Sequence, residues 1–301
     1  MIIPPNLVPG DRIRIVSPAG KVQKDKVLPG IELLEGLGYE VLVGKSVFDR
    51  YFQYAGTDRQ RIADFQEAIN DRKTKAIICA RGGYGSVRVA SETDFSPLLE
   101  FPKWLVGFSD ITVFHAILHN MRIASIHGVM PAFFFEHKKP AKSFFSLMDL
   151  LSCGKSHIET AAHPQNRAGV CSGELVGGNL SLIYSLQGTP WQLKTEGKIL
   201  LIEDLSEYLY HLDRMMQNLR LSGQLKNLKG LIVGAFTEMK DNDSPFGKSV
   251  PEIILEAVRD FDFPVCFDFP VGHIPKNLAV LLGGRYKLNV AETCHLIRQM
   301  P

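Results

Sequence analysis

Trp104-Leu105-Val106-Gly107-Phe108-Ser109-Asp110-Ile111-Thr112 runs from an apolar, aromatic segment through a glycine and a serine into a helix-starting pattern. The segment Trp104 to Phe108 reads as a buried strand, and about Ile111 to His119 as the helix after it. Two roles are open for Ser109. At the carboxyl end of a buried strand, one step before a helix, a hydroxyl is held away from its own backbone and faces a cleft beside free N–H groups, which suits a nucleophile for acyl transfer. With Asp110 beside it, the same serine also makes an ordinary N-cap. The elbow pattern G-x-S-x-G is half matched: Gly107 and Ser109 fit, and Ile111 stands where the second glycine would be. Partners elsewhere must decide.

Outward from this stretch, strands alternate with helices. Asp11 to Val16 alternates polar and apolar and breaks at Ser17-Pro18-Ala19-Gly20, a strand entering a loop. A helix is expected over Pro29 to Leu37, and a strand over Tyr39 to Val43. Thr57-Asp58 caps a helix with Ile62, Phe65 and Ile69 on its apolar face. Lys75 to Ala80 is a third strand and leads into Arg81-Gly82-Gly83-Tyr84-Gly85-Ser86. A short strand, Ala124 to His127, and a helix, Ser143 to Leu151, finish this half. The pattern predicts a parallel sheet covered on both faces, with the loops at residues 17–19, 81–83 and 107–109 converging beyond its carboxyl edge.

Ser152 to Cys171 is polar and irregular and reads as a linker between residues 1–151 and 172–301. In the second half Gly173 to Asn179 reads as a strand turning into a short helix, and Lys198 to Ile202, Gly230 to Phe236 and Pro264 to Phe269 read as strands. Helices are expected along Tyr208, Leu212, Met215 and Leu219, and over Val250 to Phe261. Leu278 to Ile297 reads as a small meander.

Lys plus Arg number 34 against 32 Asp plus Glu, a net +2 without a basic run, which argues against nucleic acid as partner. At 45% hydrophobic and 22% charged the chain is globular, and no run approaches the ~20 apolar residues of a membrane span. The five cysteines are odd in number and never paired as C-x-x-C, so reduced thiols are expected. The start, Met1-Ile2-Ile3-Pro4-Pro5-Asn6, lacks an export pattern, and a cytoplasmic location is expected.

The glycines of Arg81 to Gly85 could leave N–H groups free for an anion or oxyanion, or could simply make a turn. The segment lacks the third glycine of a dinucleotide fingerprint, and the chain holds no Gly-Lys-Ser/Thr loop. Glu203-Asp204 ends an apolar strand and His273 follows another, as Ser109 does; a hydroxyl needs an imidazole to take its proton, and the imidazole a carboxylate to fix its tautomer. Capping the next helix is the bland use of Glu203 and Asp204, and a turn that of His273. His115 and His119, at i and i+4, enclose no glutamate of a zinc-peptidase motif. His127 and His137 have no second ligand at a recognisable spacing. No metal and no cofactor are expected.

Six motifs together carry a resemblance: Pro9-Gly10-Asp11 with Ile15-Val16-Ser17-Pro18-Ala19, Ala80 to Gly85, Gly107-Phe108-Ser109-Asp110, Gly177-Gly178-Asn179-Leu180, Ile202-Glu203-Asp204 and Gly272-His273. In this order, over nearly the whole chain, they resemble the LD-carboxypeptidases, serine peptidases that include murein tetrapeptide carboxypeptidases and microcin-immunity hydrolases. The resemblance implies an α/β protein with a flavodoxin-like parallel-sheet domain carrying the nucleophile and a smaller mixed, barrel-like domain carrying the other two triad members. It implies Ser109 as nucleophile, Glu203 as orienting carboxylate, His273 as base, and the N–H groups of Gly83 and Asp110 as oxyanion hole. The implied reaction releases terminal D-Ala from a murein tetrapeptide in cell-wall recycling, with a homodimer as the expected assembly. Hydrolysis of peptidyl or aminoacyl nucleotide toxins, and a non-catalytic muropeptide-binding module, are the alternatives. Arg81 and Lys276 are the basic residues nearest the site in sequence, candidates to receive the substrate's terminal carboxylate.

Overall fold

The structure, a computed structural model, describes residues 1–300. The first part of the chain alternates β1 (Arg12–Val16), α1 (Lys24–Gly36), β2 (Glu40–Val43), α2 (Asp58–Asn70), β3 (Thr74–Cys79), the short helices α3 (Ser86–Ala90) and α4 (Pro97–Glu100), β4 (Trp104–Gly107), α5 (Thr112–Asn120) and β5 (Ser125–His127). A hairpin of β6 (Phe135–Glu136) and β7 (Lys139–Pro140) precedes α6 (Lys142–Cys153). Then come β8 (His157–Ala161), β9 (Gly169–Asn179), α7 (Leu180–Ser185), β10 (Ile199–Leu205), α8 (Leu209–Leu221), β11 (Gly230–Thr237), α9 (Val250–Ala257), β12 (Val265–Cys266), β13 (Val280–Leu282), β14 (Arg285–Val290) and β15 (Thr293–Arg298).

The first sheet is ordered β2-β1-β3-β4-β5-β13; its first five strands run parallel, and β13 closes the edge antiparallel to β5, Val280 facing His127. The second is ordered β12-β11-β10-β9-β14-β15-β8, parallel from β9 to β12 and antiparallel from β9 through to β8. The architecture is mixed α/β, two parallel-containing sheets with helices against them.

Local chemistry explains most boundaries. Thr57 and Gln60 form a capping box at the start of α2, satisfying amides that the first helical turn leaves free. α1 begins at Lys24, five residues before the expected start, and holds Pro29 inside it. α9 ends at Ala257, short of Phe261, and the strand expected over Pro264 to Phe269 shrinks to two residues; Asp268, at φ 52°, has left the extended conformation. The expected meander is divided: β14 and β15 join the second sheet, while Val280–Leu282, three consecutive buried residues, goes to the first. The polar stretch after Ser152 contains β8, an edge strand with only Ile158 buried, so its composition resembles a loop.

The two halves share their interior. One apolar cluster joins Phe65 and Phe114, stacked at 4.5 Å, to Leu180, Ile202 and Met215; the other joins Ile15 and Trp104 to Leu201, Val271 and Tyr286. A polar contact pins the join, with the Asn179 amide donating to Thr112 Oγ1 at 3.0 Å. No helix among the described residues is long and apolar enough to cross a membrane.

Candidate active site

β4 delivers Ser109 into a tight turn. Phe108 is still extended (φ −151°, ψ −176°), Ser109 has φ 66°, and a single 3-10 turn, Ser109–Ile111, leads into α5. Positive φ on a non-glycine residue is strained and is retained where the surroundings enforce it. Gly107 permits the turn, because a Cβ there would lie 2.9 Å from the Ile111 side chain. Ser109 is not an N-cap: Phe108 and Ile111 hold the cap positions of the 3-10 turn and of α5, and neither helix start has a side-chain capping bond.

The glycine loop after β3 lies directly against this serine. A Cβ on Gly82 would stand 3.0 Å from Ser109 Cβ and 3.2 Å from its Oγ, and Gly83 and Gly85 have φ 118° and 125°. Two buried charges fix the loop. Asp110 accepts from the Ser86 amide at 2.7 Å, burial raising its carboxyl against that bond. Arg61, fully buried on α2, donates to the carbonyls of Pro18 (2.6 Å) and Gly85 (3.3 Å), so one guanidinium ties together two of the loops expected at the rim. Among the described residues the amides of Gly83 and Asp110 donate to no acceptor.

Glu203 lies within β10, which runs past the expected end at Ile202, and is fully buried opposite Asn179. His273 Nδ1 is 2.7 Å from Glu203 Oε2. Burial alone would raise the Glu203 carboxyl, but the neighbouring histidines His127 and His273 outweigh it and hold the group below the usual carboxylate range. Burial would likewise lower His273, and the Glu203 hydrogen bond and charge, with Asp204 and Glu238 further off, bring it above the ordinary histidine value. The Phe108 ring packs edge-on against His273 at 5.0 Å, setting the imidazole beside the residue that precedes Ser109. Among the described residues no hydrogen bond joins Ser109 Oγ to His273; such bonds often tighten only in the substrate complex.

Asp204 has a different use. It accepts from Asn179 Nδ2 and from the amide and hydroxyl of Ser181, joining β10 to the start of α7, and burial pushes it up to about 6. Neither Glu203 nor Asp204 caps α8, whose N-cap is Tyr208.

Two cavities flank the serine turn. One, about 390 Å³, is apolar and is walled by Phe108, Val129, Phe133, Phe135, His273 and Pro275. The other, about 530 Å³, reaches from Gly83 and Asp110 to Ser181, Thr189 and Trp191. Arg81 and Lys276 are both exposed, and an Arg81 guanidinium nitrogen is 3.1 Å from the Lys21 carbonyl. His115, pushed down to about 3 by burial, spends its nitrogens on Ser125 Oγ and the Gly107 carbonyl, while His119 lies against Lys198 and Glu174. His137 is exposed. Metal-type donors do gather at His157, Glu159 and His295, on β8 and β15, strands that carry none of the residues above. Sequence reasoning missed Arg61, Thr112 and the surroundings of His127; Arg61 falls within an amphipathic helix where only the apolar spacing was informative.

This arrangement can perform acyl transfer: a strained hydroxyl beside unspent amides, and an imidazole oriented by a buried carboxylate. Models of the LD-carboxypeptidase N-terminal domain and C-terminal domain match residues 13–128 and 172–288, and the chain belongs to the LD-carboxypeptidase family. It is 32% identical to the probable murein peptide carboxypeptidase of Bacillus subtilis, over 98% of this chain and 93% of that protein. The crystal structure of muramoyltetrapeptide carboxypeptidase from Oxalobacter formigenes matches with TM-score 0.87 and 29% identity, covering 96% of this chain and 99% of that one. The microcin C7 self-immunity protein MccF, in complex with aspartyl sulfamoyl adenosine, has the same fold (TM-score 0.88, 21% identity, 100% and 99% covered).

Proposed function

We propose that the protein is a serine carboxypeptidase that cleaves an L,D peptide bond and releases terminal D-Ala from murein tetrapeptide. The observation that carries the reading is the 2.7 Å contact between His273 Nδ1 and Glu203 Oε2, beside a serine held at φ 66° against the glycine loop. In the proposed reaction His273 Nε2 takes the proton of Ser109 Oγ as the oxygen attacks the scissile carbonyl. Glu203 stabilises the imidazolium, and the amides of Gly83 and Asp110 receive the oxyanion. His273 then gives its proton to the leaving amine, and water releases the acyl-enzyme by the same steps reversed. Names of relatives and the family model support the substrate class.

The finer fold and assembly belong to the same reading. The strand order 2-1-3-4-5 supports a flavodoxin-like nucleophile domain over residues 1–151. The bridge between Arg167 and Val265 brings the chain before β9 against edge strand β12 and supports a barrel-like second domain over 172–301, to which the expected linker at 152–171 adds β8 as an edge strand. Action in the cytoplasm as a homodimer completes the proposal.

The test is turnover of free murein tetrapeptide, its amide and the pentapeptide, with products identified by mass spectrometry. Free tetrapeptide should lose one D-Ala, and amidation should cut kcat/KM by about 10-fold or more, because an unpaired carboxylate site loses its anion. Equal turnover of all three overturns carboxylate recognition. Cleavage of an aminoacyl sulfamoyl nucleotide in preference to tetrapeptide would replace the substrate and keep the machinery.

A further inference from the structure

Glu203 has two carboxylate oxygens, and only one is accounted for. Oε2 is bound by His273; Oε1 is buried without a partner. The nearest ionisable atom on that side is His127 Nε2 at 4.0 Å, too far for a hydrogen bond. His127 is itself fully buried, and neither of its ring nitrogens has a partner. Three orphaned buried polar atoms thus share one spot, which is costly unless they serve each other.

His115, the other histidine nearby, cannot supply the missing partner. Its ring centroid is 6.4 Å from that of His127, and both its nitrogens are committed: Nε2 must donate to the Gly107 carbonyl, which leaves Nδ1 to accept from Ser125. The Phe108 ring, 5.8 Å from His127, offers no acceptor. His127 is meanwhile held by backbone from both halves of the chain, lying opposite Gly107 on β4 and Val280 on β13.

We infer that His127 is a positioning residue for Glu203: with its proton on Nε2 it donates to Oε1, so that the carboxylate is clamped between two imidazoles, His273 on one oxygen and His127 on the other. The inference rests on the proposed roles of Glu203 and His273. A carboxylate held at one oxygen can rotate about its bond to Cγ and let the His273 ring turn; held at both, it fixes the tautomer and direction of the base. Outer partners of this kind orient a reacting group without touching substrate.

Three variants of the full chain test this. His127→Phe keeps a ring and removes the donor; His127→Gln places an amide near the former Nε2; His127→Asn places one nearer the former Nδ1. We expect His127→Phe to lower kcat by about 10- to 100-fold, the size of one hydrogen bond to a charged group, with KM little changed. Gln should recover most of the loss and Asn should not. The His273 titration, followed by NMR, is a readout that needs no activity. Taking a donor from Glu203 makes the Glu203–His273 pair hold its proton more tightly, so the midpoint should rise in His127→Phe and return in His127→Gln. Glu203, Asp204 and Glu238 are the charged groups acting on His273, and all are unchanged in these variants.

A His127→Phe protein with kcat within 2-fold of the parent and an unmoved His273 midpoint overturns the inference, as do Gln and Asn variants that lose activity equally. If the Phe variant does not fold, the Gln and Asn pair decides. Failure of the proposed mechanism is separable, since it would appear as retained activity in Ser109→Ala, while the His273 titration would still report on His127 and Glu203.

Discussion

Gly272 approaches Glu203 so closely that a Cβ on it would lie 2.8 Å from Oε2, the oxygen that binds His273. The same glycine has φ 105°, a conformation closed to other residues at modest cost. Gly272→Ala should therefore destabilise the protein by about 2–5 kcal/mol, from backbone strain plus overpacking. It should also cost at least about 100-fold in kcat, because the imidazole follows directly in the chain. Thermal unfolding and steady-state kinetics on one preparation measure both; unchanged activity would show that activity does not depend on how residue 272 holds His273.

Ser109 should separate stability from activity. Ser109→Ala keeps the fold and loses about 10^4- to 10^6-fold in kcat if the covalent route is correct. Ser109→Gly should be equally inactive but more stable than Ser109→Ala by about 1 kcal/mol, since glycine relieves the strain at φ 66°. Denaturant melts of the two variants check the second point, and wild-type-like turnover in either ends the serine mechanism.

The Glu203–His273 pair sets a pH window. The folded value of His273 is raised, so kcat/KM should climb with pH along a limb lying above the usual ~6.5. In Glu203→Gln that limb should fall, because burial then acts on the imidazole without a carboxylate to oppose it. Stability follows the signs of the shifts. The contribution of His273 is complete below its unfolded value of about 6.5 and is lost as pH rises through the higher folded one. That of Glu203 is complete above about 4.3 and is lost as pH falls through its lower folded value. The Tm difference between the parent and Glu203→Gln should accordingly be largest between about pH 4.5 and 6.5, and a difference constant from pH 4 to 9 would refute the coupling.

Residues 1–151 alone should not form a stable domain. Without Val280–Leu282 the β5 edge is open, and both apolar clusters lose the side chains that the second half contributes. We expect a fragment of low cooperativity that aggregates or remains partly unfolded by circular dichroism, and that gains hydrolase activity only on addition of residues 152–301. A sharp melting transition for the fragment alone would contradict this.

The sequence was most legible where one residue's surroundings are local. The alternation and apolar runs of Arg12 to Val16, Trp104 to Gly107 and Ile199 to Ile202 mark strands, and the carboxyl ends of the last two point to Ser109 and Glu203, while the strand expected before His273 is only two residues long. Capping against catalysis could not be decided at Ser109 or Glu203, because both uses put the same residue types after a strand; the φ of Ser109 and the extension of β10 through Leu205 are tertiary outcomes. In the sequence His127 is a histidine without a second ligand at a recognisable spacing. Its neighbour Glu203 is 76 residues away and comes near only through sheet packing, which no local spacing encodes. The destination of Val280–Leu282 was hidden for the same reason.

That strand has a consequence for how the protein is made. Val280 must pair with His127, and roughly 150 residues separate them, which a ribosome adds in about 8–30 s at ~5–20 residues per second. Through that interval the strand carrying His127 waits with one edge unpaired, and the Ser109 turn stands without His273. The newborn chain is therefore most exposed to aggregation and to chaperones while the second half is being synthesised, and Ser109 and His273 come together only after that half has been made.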